Sequence, residues 1–145
     1  MVKGFKVKEA VVKYRTRKAP VGTIRETKDV FEFFKKKVSG ESKENVFGLF
    51  LGNRNEVLCF ERLSIGNGNA AIIDVPCVLR TAILVGARAV ILVHNHLSGS
   101  VEPSGDDVSA TLKVRDALKA VQLELMDHVI ISDSNFLSLK QRGVI

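Results

Sequence analysis

The chain has 145 residues, of which 46% are hydrophobic and 26% are charged, as expected for one soluble globular domain. Two cysteines, Cys59 and Cys77, are too few for a disulfide framework, so we expect free thiols in a cytoplasmic protein. The charged first residues argue against a signal peptide, and the longest apolar run, residues 89–93, is too short to span a bilayer, so we expect no membrane partner.

The net charge of +6 is unevenly distributed along the chain. Residues 1–43 hold 13 Lys/Arg and 5 Asp/Glu, a balance of +8, whereas residues 44–145 hold 9 and 11, a balance of −2. A basic N-terminal third suits nucleic acid or another acidic partner. A solvated, lysine-rich surface explains the same charges, because the basic residues lack interleaved aromatic side chains that stack on bases.

The first third of the chain predicts one strand and one helix. β-Branched residues partly alternate with charged ones over residues 6–15, which predicts a strand. Pro20 and Gly22 predict a loop after it. Thr27 is the expected N-cap of a helix over residues 28–38, which has an acidic first turn and a basic last turn.

The next elements predict a hairpin. Residues 44–51 and 56–65 are apolar and β-prone, and the turn sequence GNRN at 52–55 separates them. A second loop, GNGNAA, occupies residues 66–71 and lacks the lysine and the spacing of a nucleotide-binding loop.

The second half of the chain predicts alternating helices and strands. A helix is expected over residues 74–86, then a fully buried strand over 87–93. A helix over 106–122 and a strand over 124–132 follow, and residues 135–143 are expected to form a short terminal helix.

This order predicts a single three-layer α/β domain. It divides into a basic N-terminal strand and loop over residues 1–25 and a core over residues 26–145. Residues 87–132 form a βαβ-like unit, and such folds place their sites where the chain leaves the carboxyl end of a central strand. We therefore expect the site at residues 94–105.

The stretch HNHLSGSVEPSGDD, residues 94–107, carries candidate metal ligands. In an extended segment His94 and His96 point the same way, so both imidazoles can bind one zinc ion. Asp107, at the start of the next helix, can supply an oxygen, and three protein ligands leave the fourth position open, as in catalytic zinc sites. Asn95 points the other way and is expected to take no part.

Hydrolysis by such a site also needs a base and an oxyanion donor. Glu44, Glu56 and Glu61 are the candidate bases on strands, and Ser104 is the candidate oxyanion donor. Other interpretations stay open for each part. A His-x-His pair also occurs by chance, and Ser104 with Asp107 fits the helix-capping sequence S-x-x-D, which for that pair alone is the better interpretation. The combination after a buried strand favours the metal site.

The spacing H-x-H, seven residues, S, two residues, D resembles the metal-binding motif of the JAB/MPN (JAMM) metalloenzymes. Within that superfamily the chain is similar to the bacterial RadC-type proteins, over about residues 25–145. ENVFGLFLGNRNEV resembles their first site strand and hairpin, and the segment from ARAVILVHNH to LMDHVIIS resembles their strand–motif–helix–strand block.

The resemblance implies a fold and a set of roles. The fold would be an α/β/α sandwich with a mixed sheet, similar to that of the cytidine deaminases. His94, His96 and Asp107 would hold one zinc ion, Glu44 would be the general acid/base, and Ser104 would stabilise the tetrahedral intermediate. The activity would be cleavage of a peptide or isopeptide bond in a substrate that the sequence does not identify.

Some residues depart from the RadC pattern. Leu97 stands where proline is usual, and Cys77 stands where arginine is usual. Longer members carry an N-terminal helix-hairpin-helix segment linked to DNA, and we expect this chain to be too short to hold it, which weakens the inference of DNA binding. DNA binding or a DNA-repair role that uses the basic N-terminal third is the alternative function. The pair Asp127–His128 recurs in the family, and we expect it to be structural. A metal kept only for stability is a further alternative, and the sequence predicts no oligomeric state.

Overall fold

The computed structural model describes residues 4–65 and 73–145. Within them the elements are α1 (Thr27–Val38), β1 (Asn45–Leu51), β2 (Val57–Ile65), α2 (Val75–Leu84), β3 (Ala89–Asn95), α3 (Gly105–Ala120), β4 (Glu124–Ile131) and β5 (Phe136–Ser138). The predicted loop at 66–71 lies outside the described residues. No helix in the described ranges has the length and apolarity needed to cross a bilayer.

The strands form one mixed sheet in the order β2-β1-β3-β4-β5. β1 and β2 form the predicted hairpin, and β1 also pairs antiparallel with β3. β3 and β4 are parallel and are connected by α3, which confirms the βαβ unit. All seven residues of β3 are buried, as its unbroken apolar run predicts for a central strand.

Helices cover both faces of this sheet. α1 packs on one face, where its apolar side chains meet those of β1, β3 and β4. α2 and α3 pack on the other face, against the alternate residues of the same strands. The alternation is visible in β1, which points Phe47 and Leu49 at α1 and Val46 and Phe50 at the opposite layer. The predicted three-layer α/β/α sandwich with a mixed sheet is confirmed.

Two predictions for the N-terminal part are wrong. Residues 4–19 form neither strand nor helix and are exposed, because a β-prone segment becomes a strand only when a neighbouring strand pairs with it. Pairing begins at Thr23, which forms an isolated bridge with Glu56. The N-cap of α1 is Glu26 rather than Thr27, and its backbone N–H donates to the carboxylate of Asp29 at 3.1 Å.

The predicted terminal helix is also wrong, because β5 and a turn occupy this part of the chain. The reason is the buried carboxylate of Asp127 on β4. It accepts hydrogen bonds from the Ser138 hydroxyl at 2.6 Å and from the Lys140 backbone N–H at 3.1 Å. These bonds hold the terminal segment against the sheet edge, and the local sequence carries no sign of them.

Candidate metal centre

The start of β1, the end of β3 and the start of α3 meet at one end of the sheet. β3 ends there with His94 and Asn95, and α3 begins there after the Gly/Pro loop. The antiparallel pairing of β1 with β3 sets Val46 opposite His94. Glu44, two residues before Val46, is therefore brought to the point where β3 ends. This register places a glutamate beside histidines fifty residues further along the chain.

Both histidines contact Asp107. Nδ1 of His94 lies 3.2 Å from Oδ1 of Asp107, and Nε2 of His96 lies 3.2 Å from Oδ2. The two rings are perpendicular, with centroids 4.8 Å apart. The H-x-H spacing thus directs the two imidazoles to one carboxylate, as the alternation of side chains along a strand predicts.

Of the three candidate carboxylates, Glu44 is the one that approaches a histidine. Its Oε2 lies 3.4 Å from Nε2 of His94, and the donor atoms of Glu44, His94 and His96 lie within 4.8 Å of one another. Glu56 instead accepts from the Arg54 backbone in the hairpin turn, and Glu61 accepts from the hydroxyl of Thr81 on α2. His94 therefore has a carboxylate on each side of its ring.

Ser104 is the N-cap of α3, so the capping interpretation is confirmed. Its Oγ accepts from the backbone N–H of Asp107 at 3.0 Å, and its own backbone N–H donates to Oδ2 of Asp107 at 2.9 Å. This reciprocal pair turns the carboxylate of Asp107 back towards the histidines. Accepting a hydrogen bond leaves the hydroxyl proton of Ser104 available to a further acceptor, so capping and oxyanion donation are compatible.

The contacts also set the charges of the site. Burial opposes ionisation of Asp107, but hydrogen bonds from His94, His96 and the Ser104 amide outweigh it and hold its pKa well below the usual range. The hydrogen bond to Asp107 raises the pKa of His96, against the opposing effect of burial. Asp107 is therefore an anion at neutral pH, which is the form that binds a metal.

A buried nitrogen tests whether this set of residues suits a cation. Nε2 of His94 is buried and has no hydrogen-bond partner in the described part of the chain, because its approach to Glu44 lacks hydrogen-bond geometry. Leaving such an atom unpaired costs about 1–3 kcal/mol. A cation between Nε2 of His94 and the Glu44 carboxylate would satisfy this nitrogen, and Glu44, His94 and His96 offer the nitrogen and oxygen atoms that zinc accepts. Asp107 contacts the other ring nitrogen of His94, Nδ1. The residues fit zinc.

His128, which we expected to be structural, is buried beside His94. It is fully buried, its Nδ1 lies 2.6 Å from the Thr111 hydroxyl of α3, and its ring stacks on that of His94 at 6.3 Å between centroids. Burial lowers the pKa of His128 to about 3, so the ring is neutral. A neutral, buried imidazole here supports the packing of α3 against β4.

Asn95 is the residue that sequence reasoning missed. The amide of its side chain forms hydrogen bonds with the backbone of Lys43 and Asn45, which flank Glu44. The expectation that Asn95 has no part in the site is therefore corrected. No local pattern signals this contact, because it joins residues fifty positions apart. Leu97, by contrast, is 52% exposed and contributes no ligand atom.

Comparisons with known proteins agree with this fold. The family description "RadC-like JAB domain" matches residues 24–144. Similar proteins include a UPF0758 protein of Pelodictyon phaeoclathratiforme, 38% identical over 84% of this chain and 55% of its own length. Another is a UPF0758 protein of Methanosarcina mazei, 35% identical over 87% of this chain and 55% of its own length. The chain spans about half the length of these relatives, and over that half it belongs to the family of RadC-like JAB domains.

Proposed function

We propose that the protein is a zinc-dependent hydrolase that cleaves a peptide or isopeptide bond. The observation that carries the proposal is the contact of Asp107 with both histidines while Glu44 faces His94 from the other side. Membership of the JAB family supports it. Because the chain matches about half of its relatives, the activity and substrates of the longer proteins enter only as part of this proposal.

In this proposal His94, His96 and Asp107 would hold one zinc ion. Bound zinc would polarise a carbonyl and lower the pKa of water to about 7. Glu44 then accepts a proton from the attacking water and returns it to the leaving amine. The Ser104 hydroxyl donates a hydrogen bond to the carbonyl oxygen as negative charge develops there. The capping contact with Asp107 keeps Ser104 beside the ligands.

Zinc content is the first test. Protein purified from zinc-replete cells without chelator should contain about one zinc per chain by atomic absorption, and His96→Ala should contain far less, since it lacks one ligand. Glu56→Gln is the matched control. Glu56 lies in the hairpin turn, away from the histidines, so this variant should keep its zinc. A wild-type protein without metal under these conditions would overturn the proposal.

Glu44→Gln separates the role of base from that of ligand. The donor atoms of Glu44 lie close enough to both histidines for it to be a ligand itself. If Glu44 is the base, the variant should keep its zinc and lose turnover of a pool of random quenched-fluorescent peptides and lysine-branched isopeptides. The loss should be about 10²–10⁴-fold, the usual contribution of general acid–base catalysis. Loss of zinc from this variant would instead make Glu44 a ligand.

A purely structural metal is distinguished by chelation. For a catalytic ion on a folded scaffold, EDTA should abolish turnover while the circular dichroism of the protein persists. For a structural ion, EDTA should unfold the protein, because the metal then supplies folding free energy. The buried three-layer core favours the first outcome, since its apolar contacts do not depend on the site.

DNA association is a second candidate, favoured by the exposed segment 4–19. This segment carries six Lys/Arg and one Glu. The expectation that its basic residues lack interleaved aromatic side chains is corrected by Phe5 and Tyr14, which are 90% and 62% exposed. Such residues suit phosphates and unstacked bases. Affinity for a single-stranded oligonucleotide should fall steeply between 50 and about 200 mM salt. Absence of binding in low salt would exclude this function.

We propose a cytoplasmic location for either function, since both cysteines are free thiols.

A further inference from the structure

Asn95 lies between the two histidines in the chain, but its side chain forms hydrogen bonds with a different segment, the one that leads into β1. Its backbone pairs with Ile131 of β4. Its side chain is 4% exposed and reaches the segment that precedes β1. There Oδ1 accepts from the backbone N–H of Asn45 at 2.6 Å, and Nδ2 donates to the backbone carbonyl of Lys43 at 3.2 Å.

These two hydrogen bonds hold the backbone on both sides of Glu44. β1 begins at Asn45, and the pairing of β1 with β3 ends at Val46 opposite His94, so Glu44 lies beyond the strand ladder. The Asn95 amide acts as an acceptor and a donor where that ladder stops. The carboxylate of Glu44, on the segment between these two bonds, lies 3.4 Å from Nε2 of His94.

The two backbone groups differ in how far they depend on Asn95 for a hydrogen-bond partner. The Lys43 carbonyl also accepts from the side-chain amide of Asn45 at 3.0 Å, so it keeps one partner without Asn95. The backbone N–H of Asn45 belongs to a fully buried residue and has the Asn95 oxygen as its acceptor. Removing that oxygen leaves a buried donor unpaired, which the chain relieves by shifting the segment that carries Glu44.

We propose that Asn95 is a positioning residue that holds Glu44 in register with the two histidines. The inference rests on the proposed function, in which Glu44 carries the proton. The Asn95 side chain bonds to the backbone of Lys43 and Asn45, so it acts on Glu44 through that backbone. A general base works only within hydrogen-bond reach of its proton, so a shift of this segment lowers the rate of the chemical step.

Amide hydrogen exchange tests the clamp without any substrate. In Asn95→Ala, exchange at the Asn45 amide should become at least tenfold faster, while the Ile91 amide of β3 keeps its protection. Asn95→Asp retains the acceptor for Asn45 and should preserve much of that protection. Ser138→Ala is the matched control, since it removes a buried hydroxyl bonded to Asp127 and should leave the Asn45 amide unchanged. Unchanged exchange in Asn95→Ala overturns the inference.

Turnover of the peptide and isopeptide pool tests the link to Glu44. Asn95→Ala should keep its zinc and its KM but lose at least tenfold in kcat, whereas Ser138→Ala should keep all three. Adding Asn95→Ala to Glu44→Gln should cause no further loss, because both changes remove the same step. Unchanged kcat in Asn95→Ala, or losses that multiply in the double variant, would overturn the inference.

The two proposals fail in different ways. A wild-type protein that binds no zinc or turns over none of these probes counts against the proposed function, and the exchange experiment still decides whether Asn95 holds the backbone around Glu44. If the wild type turns over the probes and Asn95→Ala does so equally well, the proposed function stands and the inference about Asn95 is wrong.

Discussion

α1 and α3 begin in the same way and serve different purposes. In each helix an aspartate three residues after the N-cap accepts a hydrogen bond from the N-cap backbone, Asp29 from Glu26 and Asp107 from Ser104. Asp29 otherwise accepts only from the neighbouring backbone of Arg25 among the described residues. Asp107 also contacts two histidines. A local motif therefore becomes a site only through what the rest of the fold brings to it.

The buried faces of the two helices differ in the same sense. α1 buries four apolar side chains, two of them phenylalanines, whereas α3 buries Asp107 and Thr111 together with two apolar residues. Fully burying a large apolar side chain contributes about 1.5–3 kcal/mol, while buried polar groups contribute little net stability and demand partners. We therefore expect α1 to contribute mainly stability and α3 to combine stability with chemistry.

The largest difference is expected when the two aspartates are changed in parallel. Asp107→Asn removes a ligand charge, so zinc content and turnover should both fall to near zero. Asp29→Asn should keep its zinc and lose less than about 1 kcal/mol of unfolding free energy, the usual effect of a charge in the first helical turn. Atomic absorption and urea unfolding measure the two effects. Equal zinc contents in the two variants would contradict the assignment of Asp107 as a ligand.

The stability of α1 is tested by Phe34→Ala. Phe34 is fully buried, and its ring packs on those of Phe33 and Phe47 with centroids 4.9 and 5.1 Å away. The truncation should lower the unfolding free energy by about 3–5 kcal/mol, through lost burial and a cavity. Zinc bound per folded chain should not change. A loss below about 1 kcal/mol in urea unfolding would mean that α1 is not a main source of stability.

Ser104 allows capping and catalysis to be separated. Glycine is nearly as good an N-cap, so Ser104→Gly should cost only a few tenths of a kcal/mol in stability. It also removes the hydroxyl donor, so kcat should fall about 10²-fold. Ser104→Thr retains the hydroxyl and the cap and should keep most of the activity. If Ser104→Gly and Ser104→Thr turn over substrate equally, Ser104 serves only as a cap, as Glu26 does in α1.

The smallest expected effect is a pH dependence of the unfolding free energy. It arises from His128, which contacts Thr111 of α3, and α1 has no counterpart among the described residues. Burial lowers the pKa of His128 to about 3, whereas in the unfolded chain it is near 6.5. Between these values the unfolded state binds more protons, so the unfolding free energy should fall as the pH drops through that range.

Replacing the titrating ring tests this dependence. His128→Asn keeps a polar atom for Thr111 but does not titrate, so the metal-free variant should lose less stability than the metal-free wild type between pH 7 and pH 5. Urea unfolding at both pH values, with EDTA present, measures the difference. Phe34→Ala serves as a control, since its cost should be the same at both. Identical pH slopes in wild type and His128→Asn would contradict the effect of burial.

The sequence predicted correctly the elements whose signal is local, that is, contained within the element and its flanking turns. The hairpin, α2, β3, α3 and β4 follow from apolar periodicity and turn residues, and all are confirmed. The strand at residues 6–15 was predicted on the same grounds, but this segment pairs with no strand in the part of the chain that the structure describes. The terminal helix was predicted where the structure has β5. The carboxylate of Asp127 on β4 accepts a hydrogen bond from Ser138 and so holds this segment against the sheet.

The sequence by itself determined the three-layer fold class and the residues that meet at the end of β3. Side chains two apart on a strand share a direction, and a helix cap places an aspartate at a known position, so both are local facts. The family resemblance pointed to Glu44, and the tertiary structure showed that it faces His94 and which residue bonds to the backbone around it. The register of β1 on β3 brings Glu44 to the histidines, and Asn95 bonds the backbone around it. These contacts join residues about fifty positions apart, and no local periodicity encodes such pairing.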